Sequence, residues 1–526
     1  MSNIALLDCT LRDGGYVNDW RWGFSAARDI IHTLTRAGTD IVEVGFLRNV
    51  EGYDPNVTVC NTIEELNRLL PQNTGRTMYS GMAMRSNYDI NKLTPYDGTG
   101  IELLRITAHD YDLREGMDFA REVKARGYKL SINPINIMGY SDSEILWILE
   151  EVNKIHPWQF SIVDTFGSMR RRDLERIVSL VDHNLAPDIR VGLHLHENMA
   201  LSFCLAQEFV DKHLNRDVTV DASLMGMGRI PGNLPIELMA DYLNESNGAH
   251  YDIDELMDAI QDHIAPIKGE AAWGYTPAYF LSARYNLHRN YAEHYLDKGD
   301  LTNRDINHLL AAIPRDKCTV FDKTYADTLY SEYQRRNIDD SAAMAALQAQ
   351  LAGRTVLVLA PGSSLATPEG QAAVQNAGAE VVISANFCPE FCTPDLCFYT
   401  NAKRFEKEES FPCPVVLTAN LRPANLPAGA LTIGYDRLAG ADAQAGNSVL
   451  MLLRLLRLCG AKTALLAGAD GYKEGAPAYA DTRLHTHTDR GAAYNAQVAG
   501  AIRTIAAAGL DIRFVTPSEY EKGGTV

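Results

Sequence analysis

The sequence predicts an α/β protein of two domains: a (β/α)8 barrel with a helical annex, then a Rossmann-like α/β domain. Three observations predict it. Eight short apolar runs recur between residues 4 and 223, most of them separated by amphipathic helical spacing. A largely helical stretch follows from 245 to 350. A new strand-and-loop pattern begins at Arg354, and 526 residues exceed what one core usually organises.

The strand candidates are IALLD (4–8), IVEVGF (41–46), TMYSGM (77–82), ELLRIT (102–107), KLSINP (129–134), FSIVDT (160–165), RVGLHLH (190–196) and VTVDAS (218–223). Residues 24–37 and 112–126 show the three-and-four apolar spacing of amphipathic helices. Near-continuous apolar strands alternating with helices imply a parallel sheet covered on both faces. Eight such units match a TIM barrel; a doubly wound open sheet is the alternative. The expected boundaries are 1–300 for the barrel, 301–353 for an annex and connector, and 354–526 for the second domain. In that last region RTVLVLAPGSSL, AEVVISANF, PDLCFYTN, PVVLT, KTALLAGADGY and LDIRFVT read as strands.

Hydrophobic residues make up 46% and charged residues 22%, the balance of a globular chain. The formal net charge of -18 disfavours nucleic acid and anionic membrane as partners. The N-terminus shows no basic segment leading into a long apolar one, and Arg454, Arg457 and Lys462 interrupt the most apolar stretch near the C-terminus. A cytoplasmic protein with reduced thiols is the expectation for its nine cysteines. Cys388, Cys392, Cys397 and Cys413 lack paired CxxC spacing and read as free thiols rather than a zinc site.

GLHLHEN at 192–198 is the most informative motif. His194 and His196 lie two apart on a strand, so both face the barrel interior, and they lie at the C-terminal end, where barrel enzymes keep their sites. Two neighbouring imidazoles suit a divalent ion. TLRDGG at 10–15 follows the first strand. Asp13 offers the ion a carboxylate oxygen, and Arg12 offers planar donors to a developing oxyanion. Barrel closure brings strands one, eight and seven side by side, so these residues can converge. MGMGRIPGNLPIEL at 225–238 follows strand eight; its glycines permit close backbone approach, Asn233 can add a carbonyl ligand, and Glu237 can brace the loop.

LDCTLRDGG, VEVGF, VDTFG, HLHEN and GRIPGN, in this order, resemble the DRE-TIM metallolyase superfamily over about residues 3–300. This group includes 4-hydroxy-2-oxovalerate aldolase, hydroxymethylglutaryl-CoA lyase and isopropylmalate synthase. The aldolase branch is the most similar, and the stretch from Trp273 resembles its C-terminal annex. The resemblance implies a divalent-metal-dependent lyase or aldolase acting next to a 2-oxo acid, with an aldehyde as the other partner. Mn2+ or Mg2+ is the implied ion, with Co2+ or Zn2+ as alternatives, held by Asp13, His194 and His196, with Asn233 as a further ligand whose match is in the lyase members. Arg12 would stabilise a pyruvate-type enolate. Glu43 would orient Arg12 or a ligand, Thr165 would contact substrate, and Tyr275 matches an active-site tyrosine of the aldolases. The family's His three residues beyond the metal-binding Asp is here Tyr16, which leaves Tyr16, Tyr275, His109 or a water as base; His109 is also a candidate substrate contact. The synthases carry an acidic residue where this chain has Gly15. A Claisen-type synthase using an acyl-CoA is the alternative enzyme.

In the second domain no Gly-rich dinucleotide or Walker motif is present. SANF (384–387), GNSVLMLLRLL (446–456) with GAKTALLAGADGY (460–472), and LHTHTDRGAAYN (484–495) resemble bacterial sialyltransferase-like domains. That likeness implies a nucleotide sugar near Gly362, Ser363 and Asn386, with His485 or His487 as base. A scaffolding domain is the competing reading. A homo-oligomer is the expected assembly.

Overall fold

The computed structural model describes residues 4–72, 75–229, 231–270, 273–335, 338–423, 425–440, 446–473, 479–480 and 491–521. The chain divides into two compact units. The first comprises Met1–Asn290 and Ile313–Phe321, the second Tyr291–Ala312 and Asp322–Val526.

In the first unit eight parallel strands close on themselves among the described residues. They are β1 Ile4–Asp8, β2 Ile41–Leu47, β3 Met78–Ala83, β4 Leu103–Ala108, β5 Lys129–Pro134, β6 Gln159–Asp164, β7 Arg190–Leu195 and β8 Val218–Ala222. Leu7 pairs with Ile41 on one side of β1 and with Asp221 on the other, which closes the barrel. Every strand residue except Ile4, Met78 and Lys129 is buried, which is why the strands read as apolar runs without alternation. A two-residue strand, Val59–Cys60, pairs outside β2.

Helices α1 (Phe24–Arg36), α2 (Leu113–Ala125), α3 (Asp142–Ile155) and α4 (Arg171–Asn184) bury one apolar stripe each. On α3 the stripe is Ile145, Ile148, Leu149, Val152 and Ile155, an i, i+3, i+4 pattern. Ser141 caps α3 and Glu144 reciprocates, which fixes where that helix starts.

The second unit holds a parallel sheet of β9 Thr355–Leu359, β10 Val381–Ala385, β11 Leu396–Tyr399, β12 Val415–Thr418, β13 Leu431–Ile433, β14 Thr463–Ala467 and β15 Asp511–Phe514. β9 lies between β10 and β14, and the order runs outward from there in both directions. This is a doubly wound sheet with its switch point beside β9. The annex and connector expected at 301–353 is not a separate piece. Residues 313–321 join the first unit and the rest joins the second. Leu347 and Leu351, on the helix Ser341–Leu351, bury in the core of the second sheet. Among the described residues no helix is long and apolar enough to cross a membrane.

Candidate metal centre and substrate site

The barrel mouth is organised by a turn with no spare room. After β1 the chain makes one wide turn, Thr10–Gly14, in which Asp13 N donates to Cys9 O at 2.7 Å. The Trp20 indole lies against Gly15, where a Cβ would sit 2.0 Å from the ring, and its Nε1 donates to Arg12 O at 2.7 Å. Only glycine fits at 15. A Cβ on Gly228 would sit 2.3 Å from Asn233 Nδ2 and 2.9 Å from Asp13 Oδ2, so the loop after β8 approaches Asp13 as bare backbone.

Asp13, His194 and His196 are all buried, and each offers a ligand atom within 4.8 Å of the other two. Both imidazoles are oriented from behind. His194 Nδ1 lies 3.0 Å from Asp221 Oδ2, and His196 Nδ1 lies 3.0 Å from the carbonyl oxygen of Asp164. That arrangement leaves the Nε2 atoms for an ion. His196 Nε2 is buried without a hydrogen-bond partner and lies 3.7 Å from Asp13 Oδ2. Asn233 pairs with His196 as an isolated bridge, and its Oδ1 is also buried without a partner. A buried imidazole nitrogen and a buried amide oxygen left unsatisfied are costly. A divalent cation among Asp13, His194 and His196 would satisfy the imidazole nitrogen, so these three residues fit the ion.

A chain of buried charges stands behind the cluster. Arg12 Nε donates to Glu43 Oε2 at 2.7 Å, and Arg12 Nη1 pairs with Asp13. Arg105 Nη1 donates to the same Glu43 oxygen at 3.1 Å, and Arg105 Nη2 pairs with Asp221. Burial opposes the charge on Asp13, but Arg12 and the two imidazoles outweigh it and hold its pKa well below the usual carboxylate range. Burial lowers the His194 pKa despite Asp221, which keeps the ring neutral and its lone pair available. The sequence analysis missed Arg105 and Asp221. The signal was there: each is a lone charge inside an apolar strand, and in a closed barrel such a residue has only the interior to face.

The other predicted residues are placed as follows. Glu43 is the carboxylate behind Arg12. Thr165 Oγ1 accepts from the backbone N of Asn136 at 2.8 Å, so it ties two mouth loops together. Glu237 accepts from Met225 N at 3.0 Å and braces the Gly-rich loop. Tyr16 packs on Trp20 and Phe46, under the Arg229 guanidinium, and its hydroxyl accepts from Arg48 at 3.4 Å. Tyr275 is 57% exposed and lies outside the buried network. His109 Nδ1 is buried without a partner, its ring stacks on Tyr111, and burial lowers its pKa. His288, which the sequence analysis did not single out, lies 3.0 Å from Arg229 Nη2; burial and the neighbouring arginines push its pKa down to about 3.

In the second unit a cavity of about 770 Å³ opens at the carboxyl ends of the strands, at the switch point. Gly362 and Asn386 line it. Asn386 has φ 60°, and its Oδ1 accepts from the backbone N of Thr400 and Asn401 at 2.8 and 3.2 Å, so it clamps the ends of β10 and β11 together. Ser363 Oγ lies 3.4 Å from Asp470 Oδ2. His485 and His487 lie outside the described residues. Cys397 Sγ lies 3.4 Å from Cys388 Sγ and 3.3 Å from Cys413 Sγ, and all nine cysteines are free.

A buried Asp–His–His cluster at the carboxyl ends of a closed (β/α)8 barrel, with an arginine beside it, defines the class of barrel enzymes with a candidate metal centre. The family model described as HMGL-like matches residues 3–262, and the barrel domain belongs to this lyase and aldolase family, within the DRE-TIM group. Oxaloacetate decarboxylase of Mycobacterium tuberculosis is 24% identical over 265 residues, 49% of this chain and 76% of that protein. A 4-hydroxy-2-oxovalerate aldolase of Thermomicrobium roseum is 25% identical over 267 residues, 49% of this chain and 72% of that protein. The solved HMG-CoA lyase of Acenitobacter baumannii is 17% identical with a TM-score of 0.41, over 52% of this chain and 95% of that one.

Proposed function

We propose that the barrel is a divalent-metal-dependent aldolase that makes or breaks the carbon–carbon bond next to the enolate of a pyruvate-type 2-oxo acid. The observation that carries this reading is the buried cluster of Asp13, His194 and His196, in which His196 Nε2 stands without a partner 3.7 Å from Asp13. Asp13, His194, His196 and Asn233 would hold the ion, with Mn2+ or Mg2+ the metals in view. When bound, it would supply Lewis acidity to the 2-oxo and carboxylate oxygens of the substrate.

The remaining chemistry falls to side chains. Arg12 is locked by Glu43 and Asp13 through Nε and Nη1, which leaves Nη2 for the developing enolate oxygen. Because the guanidinium is fixed before substrate arrives, little reorganisation is needed as charge develops. Among the candidate bases, His109 has the support of its neutral ring and unpartnered Nδ1. Tyr16 Oη already accepts from Arg48, and Tyr275 is largely in solvent.

The test is metal-dependent exchange of pyruvate methyl protons in D2O, followed by NMR, with metal content measured on the same sample. Wild type should exchange, His194→Ala/His196→Ala should lose both metal and exchange, and His109→Ala should lose exchange while Tyr16→Phe keeps it. Full metal and full exchange in the double variant would remove the assignment. The relative that decarboxylates oxaloacetate supports a second reaction through the same enolate, so CO2 release from oxaloacetate belongs in the assay. A Claisen-type synthase would instead release free CoA thiol from acetyl-CoA.

For the second domain the reading is a separate small-molecule site, supported by the cavity at its switch point. A nucleotide sugar is the ligand class in view, tested by calorimetric titration of full-length protein with a CMP-sugar.

A further inference from the structure

Three residues meet at one edge of the barrel mouth. Arg48 directly follows β2, Tyr16 lies in the segment after β1, and Arg229 lies in the loop after β8. β8, β1 and β2 are neighbours in the closed barrel, which brings the three together from distant parts of the chain. Arg48 Nη2 donates to Tyr16 Oη at 3.4 Å, and the Arg229 guanidinium carbon lies 5.7 Å from the centre of the Tyr16 ring.

Both guanidinium groups are held in place by neutral neighbours. Arg48 stacks on Phe46 at 4.1 Å and on Trp20 at 4.6 Å, and its backbone N donates to Cys60 O at 2.9 Å. Arg229 Nη2 lies 3.0 Å from His288 Nε2; an arginine can only donate, so the imidazole accepts. Burial and the neighbouring arginines keep that ring neutral, which preserves the acceptor. His288 N is itself tied to Cys318 O at 2.8 Å.

Neither charge is matched. Among the described residues Arg48 and Arg229 form no ion pair, although the chain carries 67 acidic residues against 49 basic ones. Both are half-buried, where an unpaired charge costs desolvation that a docked anion would offset. The Nη1 atom of each has no protein partner among the described residues and, unlike Arg48 Nε, is not buried. Each arginine therefore keeps a donor edge for something that is not part of the fold. A planar fork suits a carboxylate or a phosphate.

The position fits a substrate. Arg229 N donates to Asp13 Oδ2 at 3.3 Å, so its guanidinium lies no further from the metal cluster than one arginine side chain reaches. The carboxylate of the 2-oxo acid already has the cluster and Arg12, whose own charge is balanced by Glu43 and Asp13. Two further cations at the same mouth are surplus to a pyruvate-type substrate alone.

We infer that Arg48 and Arg229 are specificity-determining residues that bind an anionic group on the aldehyde partner, a carboxylate or a phosphate. This inference rests on the aldolase reading. In the condensation the pyruvate methyl carbon bonds to the aldehyde carbon, the methyl proton leaves to the base, and the aldehyde oxygen takes up a proton; no oxidant or reductant is involved.

The experiment uses full-length protein with Mn2+ and pyruvate, and compares acceptors in two pairs: succinic semialdehyde with butyraldehyde, and glyceraldehyde 3-phosphate with glyceraldehyde. The charged member of at least one pair should exceed its neutral partner by about tenfold or more in kcat/KM, and which pair shows it separates carboxylate from phosphate. Arg229→Gln should cut that ratio about tenfold through KM, Arg48→Gln should lower it too, and Arg229→Lys should keep most of it. The ratio within a pair cancels general damage to the barrel, which acts on both members alike. Ratios near one for both pairs in wild type, or a ratio unchanged in both glutamine variants, would overturn the inference while leaving pyruvate exchange, and so the aldolase reading, intact. Absence of exchange in wild type would sink the aldolase reading instead. The anion site is then read by saturation-transfer NMR of the Mg2+ form with succinate and with inorganic phosphate. Binding of either that is lost in Arg48→Gln/Arg229→Gln upholds the site; no binding to wild type, or equal binding to the double variant, ends it.

Discussion

Arg12 donates through Nε to Glu43 Oε2 at 2.7 Å, in an interior where the Glu43 side chain is fully buried and the Arg12 side chain is only 6% exposed. The same carboxylate oxygen accepts from Arg105, so one acid bridges two buried guanidinium groups, each of which also pairs with an aspartate, Arg12 with Asp13 and Arg105 with Asp221. Neutralising it breaks the bridge and leaves each arginine only its aspartate, where water cannot replace the lost charge. Glu43→Gln should therefore destabilise the barrel by about 3–5 kcal/mol, the usual result of breaking a buried pair from one side. Thermal unfolding is the measurement. A shift in Tm of less than a degree would mean that the network relaxes around the loss.

Arg12→Lys keeps the positive charge but not the fork that grips Glu43 and Asp13 together. Metal content should stay near wild type, since Asp13, His194 and His196 are untouched. Pyruvate exchange should fall on the order of 10²–10³-fold, the cost of losing one preorganised donor. A loss below about threefold would take Arg12 out of the chemistry.

His288 gives a pH signature. Its folded pKa is pushed down to about 3, from an ordinary value of 6.5. Above pH 6.5 the ring is neutral in both folded and unfolded chains, and its contribution to stability is complete. As pH falls below 6.5 the unfolded chain takes up a proton that the folded one refuses, so stability drops steadily toward pH 3. Burial also lowers the pKa of His109 and His194, and raises that of Asp8 to about 7 and of Asp164 and Glu197 to about 6, so His288 is read only from the difference between variant and wild-type curves. His288→Gln should flatten the decline in Tm over that window. Parallel wild-type and variant curves would show that His288 is not held neutral.

Cutting the chain after residue 350 should give a poorly soluble fragment. The helix Ser341–Leu351 would end one residue short, and Leu347 would lose the second sheet that buries it. Residues 291–312 also belong to the second unit, so no single cut separates the two cleanly. Monodisperse behaviour of a 1–350 fragment on gel filtration would contradict this packing.

What the sequence determined by itself was local and periodic. All eight barrel strands lie within a residue or so of the apolar runs that predicted them, because a strand buried on both faces has to be apolar throughout. A spacing of two put His194 and His196 on one face, and the glycines of 225–238, Gly228 among them, marked where backbone would come close. What only the tertiary structure decided was which distant charges meet. Glu43 and Arg105 are 62 residues apart, and Arg105 and Asp221 are 116 apart. Periodicity says which face a side chain takes, but barrel closure chooses its neighbours across the interior. The same holds for Arg48 and Arg229: neither residue looks unusual in the sequence, and they stand out only once folding has set both against Tyr16.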